Sequence, residues 1–234
     1  MNDCHVISDL HMFSRRSRVA DHLGEIRDKA RSSRTLVLAG DIVDFKWSEL
    51  GSVEATAGAT ADWLEELLGH GCDIHYLLGN HDHHPALVER LKGLAGGHQG
   101  FSWHPFHLRL GNAVFLHGDA ANVRMNVERL AAYRKRFGGH GQRGMAMNRL
   151  YDAAVAARIH VLGARLLYPH RTVLRRLFKY LDEIQCGPAQ GVRHVYYGHT
   201  HRAMADVEYG GLRFHNCGAP MPGMQFRIVK ADLE

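Results

Sequence analysis

The chain has 234 residues, 45% of them hydrophobic and 23% charged, which suits a globular protein of one large or two small domains. No apolar run approaches the ~20 residues of a membrane-spanning helix, no signal-peptide pattern opens the chain, and Cys4, Cys72, Cys186 and Cys217 are scattered without a C-x-x-C, so reduced thiols and a cytoplasmic location are expected. The net charge of +5 is uneven, because residues 120–187 hold 13 Lys/Arg against 4 Asp/Glu while the remainder holds 16 against 20; a basic segment inside a mildly acidic body predicts an anionic substrate or surface.

The first half alternates strand and helix patterns. An apolar run at 4–8 predicts a strand, and Val19, Leu23, Ile26 and Ala30 keep helical spacing over about 17–32. A strand at 35–39 precedes a helix at about 55–69 carrying Trp63, Leu64, Leu67 and Leu68. A strand at 73–78 precedes a short helix that Pro85 opens. This alternation predicts βαβ units and a partly parallel sheet. Strands at about 104–110 and 112–117 follow, joined by the turn Gly111-Asn112. Residues 122–185 read as helical throughout, an insertion within a single domain spanning 1–234. Strands return at 193–197, about 203–208, 212–216 and 224–231, with Gly210-Gly211 as a hairpin turn.

Five of the apolar runs end in the same unusual way. CHVISDLH gives Asp9 and His11, TLVLAGDIVD gives Asp41 and Asp44, YLLGNHDHH gives Asn80, His81 and Asp82, AVFLHGD gives His117 and Asp119, and HVYYGHTH gives His199 and His201. Asn, Asp and His are poor material for extending a core strand, whereas ligands of open α/β sheets bind outside the carboxyl ends of the strands. Asp9, His11, Asp41, Asn80, His117, His199 and His201 form an oxygen and nitrogen set without thiolate, suited to Mn²⁺, Fe or Zn²⁺. Seven side chains exceed what one ion with open positions needs and suit two divalent ions sharing a carboxylate, as in displacements at phosphorus.

The order Asp9-x-His11, Gly40-Asp41-x-x-Asp44, Gly79-Asn80-His81-Asp82, His117 and Gly198-His199-x-His201 resembles the calcineurin-like metallophosphoesterases. The motifs cover residues 9–201, and their number and order carry the resemblance, since any one alone is weak. It implies an α/β (α+β) fold, a β-sandwich of mixed sheets flanked by helices, and an enzyme that hydrolyses a phosphodiester or pyrophosphate by attack of a metal-activated hydroxide. Asp9, His11, Asp41 and His201 would hold one ion; Asp41, Asn80, His117 and His199 would hold the other. His81 would act beside the phosphate as a proton donor or transition-state stabiliser, with Asp82 orienting it.

Within that superfamily, ISDLH, GDIVDFKW, LHGD, a helical insertion and GHTHRA are most similar to UDP-2,3-diacylglucosamine hydrolases, although His81 stands where that branch usually carries Arg. This implies a phosphorylated or lipid-linked nucleotide substrate. Asp44 is expected to make a hydrogen bond within its loop, Asp119 either to cap the next helix or to contact substrate, and His83 and His84 to open a helix or face solvent.

In the insertion, Leu174, Leu177, Phe178 and Leu181 share an apolar face while Arg171, Arg175, Arg176 and Lys179 fall largely off it. This pattern fits amphipathic helices packed on each other with solvated basic faces, or a lid in which Arg124 and Arg175 are the exposed candidates for substrate contact, or a peripheral contact with an anionic membrane. Aromatics spaced for base stacking are not evident, which argues against nucleic acid. A phosphatase or nuclease of the same superfamily and an inactive protein-binding scaffold remain the alternatives; intact ligands count against the scaffold.

Overall fold

A computed structural model describes residues 3–123, 125–138 and 142–234. Arg124, one of the two expected substrate-binding arginines, lies outside the described residues.

Strands β1 (Cys4–Ile7), β2 (Thr35–Ala39), β3 (Asp73–Leu77) and β4 (Phe101–His104) are parallel neighbours in one sheet, with β10 (Val229–Ala231) antiparallel on the edge of β1. Parallel pairing needs crossovers, and α1 (Leu23–Ser32), α2 (Val53–Leu68) and α3 (Pro85–Gly97) supply them. A single turn of 3₁₀ helix, Val19–His22, leads into α1. The second sheet runs β5 (His107–Leu110), β6 (Ala113–Leu116), β7 (His194–Tyr197), β9 (Leu212–Asn216) and β8 (Met204–Tyr209). The run expected as one strand at 104–110 is divided, because Pro105 lacks the N–H to continue a ladder and the chain crosses there from the first sheet to the second. The expected strand at 224–231 is regular only over its last three residues; upstream, Phe226 makes an isolated bridge to Gly218.

Strand alternation explains the layering. Cys4, Val6, Val37, Ala39 and Leu77 face Ala113, Phe115 and Tyr196 between the sheets, while Ile7, Leu36, Leu38 and Ile74 pack outward against Ile26, Leu64, Leu67 and Leu91 of the first three helices. Both faces of these strands are therefore apolar, as parallel sheets require.

The insertion comprises α4 (Val127–Gly138), α5 (Met145–Ala156), α6 (Ile159–Leu167) and α7 (His170–Glu183). It is not uniform. Leu130 of α4 and Val173, Leu174, Leu177 and Leu181 of α7 cover the outer face of the second sheet and belong to its core. Helices α5 and α6 lie outside that core and expose Leu150, Ile159, Leu162 and Leu166, the last of these 70% exposed. No helix among the described residues is long and apolar enough to cross a membrane.

Candidate metal centre

All seven expected ligands sit on the loops that follow β1, β2, β3, β6 and β7, and parallel pairing within each sheet brings these loops to one rim. Backbone bonds lock the loops together: Asp9 N–H donates to the Gly40 carbonyl at 3.0 Å, and His11 N–H to that of Asp41 at 3.0 Å. Across the sandwich, His199 N–H donates to the Asp9 carboxylate at 2.8 Å. Asp9, His11, Asp41, His199 and His201 all have φ between 46° and 66°. Non-glycine residues held there cost about 1–3 kcal/mol each, a strain found where surrounding structure fixes a functional geometry. Two glycines make the close approach feasible. A Cβ at Gly79 would collide with the Asp41 carboxylate and amide, and one at Gly198 with the Asp9 carboxylate.

Three groups of donor atoms result, and one of them, His11, Asp44 and His81, shares His11 with its neighbour; the other two contain the expected ligands. Asp9, His11 and His201 form the first, with His11 Nε2 3.1 Å from His201 Nε2 and His201 Nε2 3.4 Å from Asp9 Oδ1. Asp41, His117 and His199 form the second, with His117 Nε2 3.2 Å from Asp41 Oδ2, 3.2 Å from His199 Nδ1 and 3.2 Å from Asn80 Oδ1. Asp41 Oδ2 is also 4.0 Å from His11 Nε2, so this oxygen stands between the groups, while Oδ1 accepts from His81 N–H at 2.8 Å.

The donors fit two divalent cations. His117 Nδ1 faces the Ala39 carbonyl at 3.3 Å and His199 Nε2 faces Asn122 Oδ1 at 2.6 Å. Donation to those oxygens leaves His117 Nε2 and His199 Nδ1 as lone pairs aimed at each other, an arrangement that calls for a cation between them. The carboxylates around His117 favour positive charge at this point. Burial opposes charge on His117, but Asp41, Asp119 and Asp9 outweigh it and raise its pKa to about 10. Burial and the neighbouring His117 push His199 the other way, to about 4. Burial also opposes charge on Asp41, yet His117, His81 and His11 hold its carboxyl well below the ordinary range.

The site corrects several expectations. Asp82 does not orient His81; its carboxylate turns inward and accepts from Gly79 N–H at 2.5 Å, Ile42 N–H at 3.0 Å and Tyr76 O–H at 2.9 Å. Asp44 takes that place, with Oδ1 3.1 Å from His81 Nδ1 and Oδ2 3.2 Å from His11 Nδ1, besides accepting from Trp47 N–H as a loop hydrogen bond. Burial lowers the basicity of His81, but Asp44 and Asp41 overcome it and raise its pKa to about 9. Asp119 neither faces substrate nor caps: both its oxygens accept from Arg134 at 2.7 Å in a fully buried pair. Arg175 is exposed on α7 and does not line the cavity over the candidate ligands. Arg176, one residue on, donates to the carbonyls of Ala121 and Asn122. His84 opens α3 as expected, its Nδ1 accepting from Ala86 N–H at 3.2 Å.

A cavity of about 410 Å³ lies over the ligands. Asp41, Asn80, His81, His199 and His201 form its floor. Ile159, His160, Gly163, Ala164 and Leu167 line the opposite wall, one helical face of α6 at i, i+3, i+4 spacing. Tyr151, Tyr168, Met221 and Met224, which no motif marks, also line it. Helix α5 is moored beside the cavity by Arg16, which pairs with Asp152 at 2.8 Å and stacks on Trp47 and Tyr151.

Residues 4–203 match the family model described as calcineurin-like phosphoesterase. Among solved structures, the chain is similar to a dimetal phosphatase from Danio rerio, at 15% identity and a TM-score of 0.46, with 99% of this chain and 92% of that chain covered. No curated protein matches it.

Proposed function

Because this chain belongs to the calcineurin-like phosphoesterase family and is therefore a metal-dependent hydrolase of phosphate esters, we propose that it cleaves a phosphodiester or pyrophosphate bond in an amphiphilic, anionic substrate. One observation carries the choice of substrate: the cavity has a polar floor of imidazoles and carboxylates and an apolar wall, and that wall continues into exposed leucines at the rim. A substrate with a phosphate at one end and an acyl chain at the other matches both surfaces. A lipid-linked nucleotide diphosphate of the UDP-2,3-diacylglucosamine type has that chemistry, and the same rim would rest against an anionic membrane surface.

Asp9, His11, Asp41 and His201 would hold one ion and Asp41, Asn80, His117 and His199 the other, with Mn²⁺ the ion we expect. Two divalent ions there supply a water of near-neutral pKa and offset charge on the phosphoryl oxygens. The chain's own contribution is positional. Asp44 turns His81 toward the floor of the cavity, where a protonated imidazole can donate to a leaving oxygen. The α6 wall excludes water from the apolar portion and presents the ester bond to the floor.

The test strips the chain with a chelator, restores Mn²⁺ and compares a phosphomonoester, a small phosphodiester and a nucleotide diphosphate carrying acyl chains. Preference for the acylated diphosphate in kcat/KM supports the proposal. Equal or better turnover of the acyl-free compounds would reject the substrate class. Full activity in the stripped chain would reject the metal centre.

A further inference from the structure

Asn122 stands where the insertion meets the metal ligands. Its Oδ1 lies 2.6 Å from His199 Nε2 and accepts from Tyr168 O–H at 2.8 Å. Its Nδ2 donates to Tyr133 Oη at 2.9 Å. Its backbone carbonyl, with that of Ala121, accepts from Arg176 at 2.6 and 2.7 Å. One residue thus joins α4 through Tyr133, the α6–α7 junction through Tyr168 and α7 through Arg176, and touches the imidazole of His199. No motif contains it.

Resting on the reading of His199 as a metal ligand, we propose that Asn122 is a positioning residue that aims Nδ1 of His199 at the ion shared with Asp41, Asn80 and His117, and that ties this ion's affinity to the packing of the insertion. A neutral imidazole carries one N–H and one lone pair. An acceptor oxygen opposite Nε2 selects the form with the hydrogen on Nε2 and the lone pair on Nδ1, the atom that faces His117. With both lone pairs of Oδ1 engaged and Nδ2 held by Tyr133, the amide keeps its acceptor on His199. The insertion is then part of the metal centre as well as a wall of the cavity.

Calorimetric titration of the chelator-stripped full chain with Mn²⁺ tests this without relying on turnover. Wild type should take up two ions. Asn122→Leu should weaken one of them 10–100-fold, the usual cost of losing a partner that orients a ligand, and leave the other within a few-fold. Asn122→Asp, which can only accept, should stay within a few-fold of wild type. Wild-type affinity for both ions in Asn122→Leu overturns the inference, and so does an Asn122→Asp variant as weak as the leucine variant. If circular dichroism shows the leucine variant unfolded, Tyr133→Phe and Tyr168→Phe decide: weakening of the same ion supports the proposal, and unchanged affinity in both overturns it. A wild-type chain that binds no ion rejects the metal centre itself and this inference with it, whereas two ions in wild type and in Asn122→Leu reject only the role of Asn122.

Discussion

Asp44 Oδ1 lies 3.1 Å from His81 Nδ1, and the other oxygen of the same carboxylate lies 3.2 Å from Nδ1 of the metal-ligand candidate His11. One buried side chain thus aims two imidazoles, and its loss should affect both ion binding and catalysis. Asp44→Asn is expected to lower metal affinity and kcat by about 10–100-fold each. Asp82→Asn should leave kcat within a few-fold but destabilise the fold by about 1–3 kcal/mol, because its inward carboxylate accepts from three buried donors. Steady-state kinetics and urea unfolding of the two variants should give opposite patterns; matching patterns would reject the exchange of roles.

His81 touches the cavity and shares a donor group with His11 and Asp44, outside the two groups assigned to the ions. His81→Ala should therefore lower kcat by about 10²–10⁴ while metal content stays near wild type. The loss should shrink as the leaving group becomes more acidic, since a good leaving group needs little protonation. An equal loss across a series of leaving groups would count against proton donation.

Arg134 is fully buried against Asp119 and also donates to the Pro105 carbonyl where the chain passes between the sheets. Arg134→Ala leaves an unpaired buried carboxylate and should cost about 3–5 kcal/mol of stability. Removing both partners with apolar residues should recover part of that. Denaturant titration measures both, and a loss below 1 kcal/mol in the single variant would show the pair to be dispensable.

Leu162 and Leu166 lie on the exposed face of α6 and outside the cavity lining. Leu162→Glu and Leu166→Glu should raise KM for an acylated diphosphate about tenfold or more, and leave a small phosphodiester within twofold. Parallel, small changes for both substrates would mean that the rim does not meet the substrate.

A Cβ at Gly198 would occupy the space of the Asp9 carboxylate. Gly198→Ala should displace that carboxylate and reduce bound metal below two ions per chain, measured by elemental analysis. Retention of both ions would show that the loop after β7 can yield.

The candidate metal ligands were legible in the sequence because each sits within a few residues of a strand end, and parallel strands carry their ends to the same rim. Asp9, His11, Asp41, Asn80, His117, His199 and His201 could be named without a structure for that reason. The βαβ units and the partly parallel sheet were legible from strand and helix periods, except at 104–110, where one expected strand hid a change of sheet at Pro105, and the two-sheet sandwich came from the family resemblance.

Only the tertiary structure decided what the side chains beside those ligands do. Asp82 follows His81 directly, yet the turn sends its carboxylate to Gly79, Ile42 and Tyr76, and the oxygen that faces His81 comes from Asp44 on the loop after β2. Asp119 reads as a helix cap or a substrate contact until the fold buries it against Arg134. The insertion showed apolar spacing throughout, and spacing reports which face is apolar without saying what covers it. Packing made α4 and α7 part of the core and left α6 as the wall of the cavity, because side chains of the first pair join the core of the second sheet and those of α6 do not.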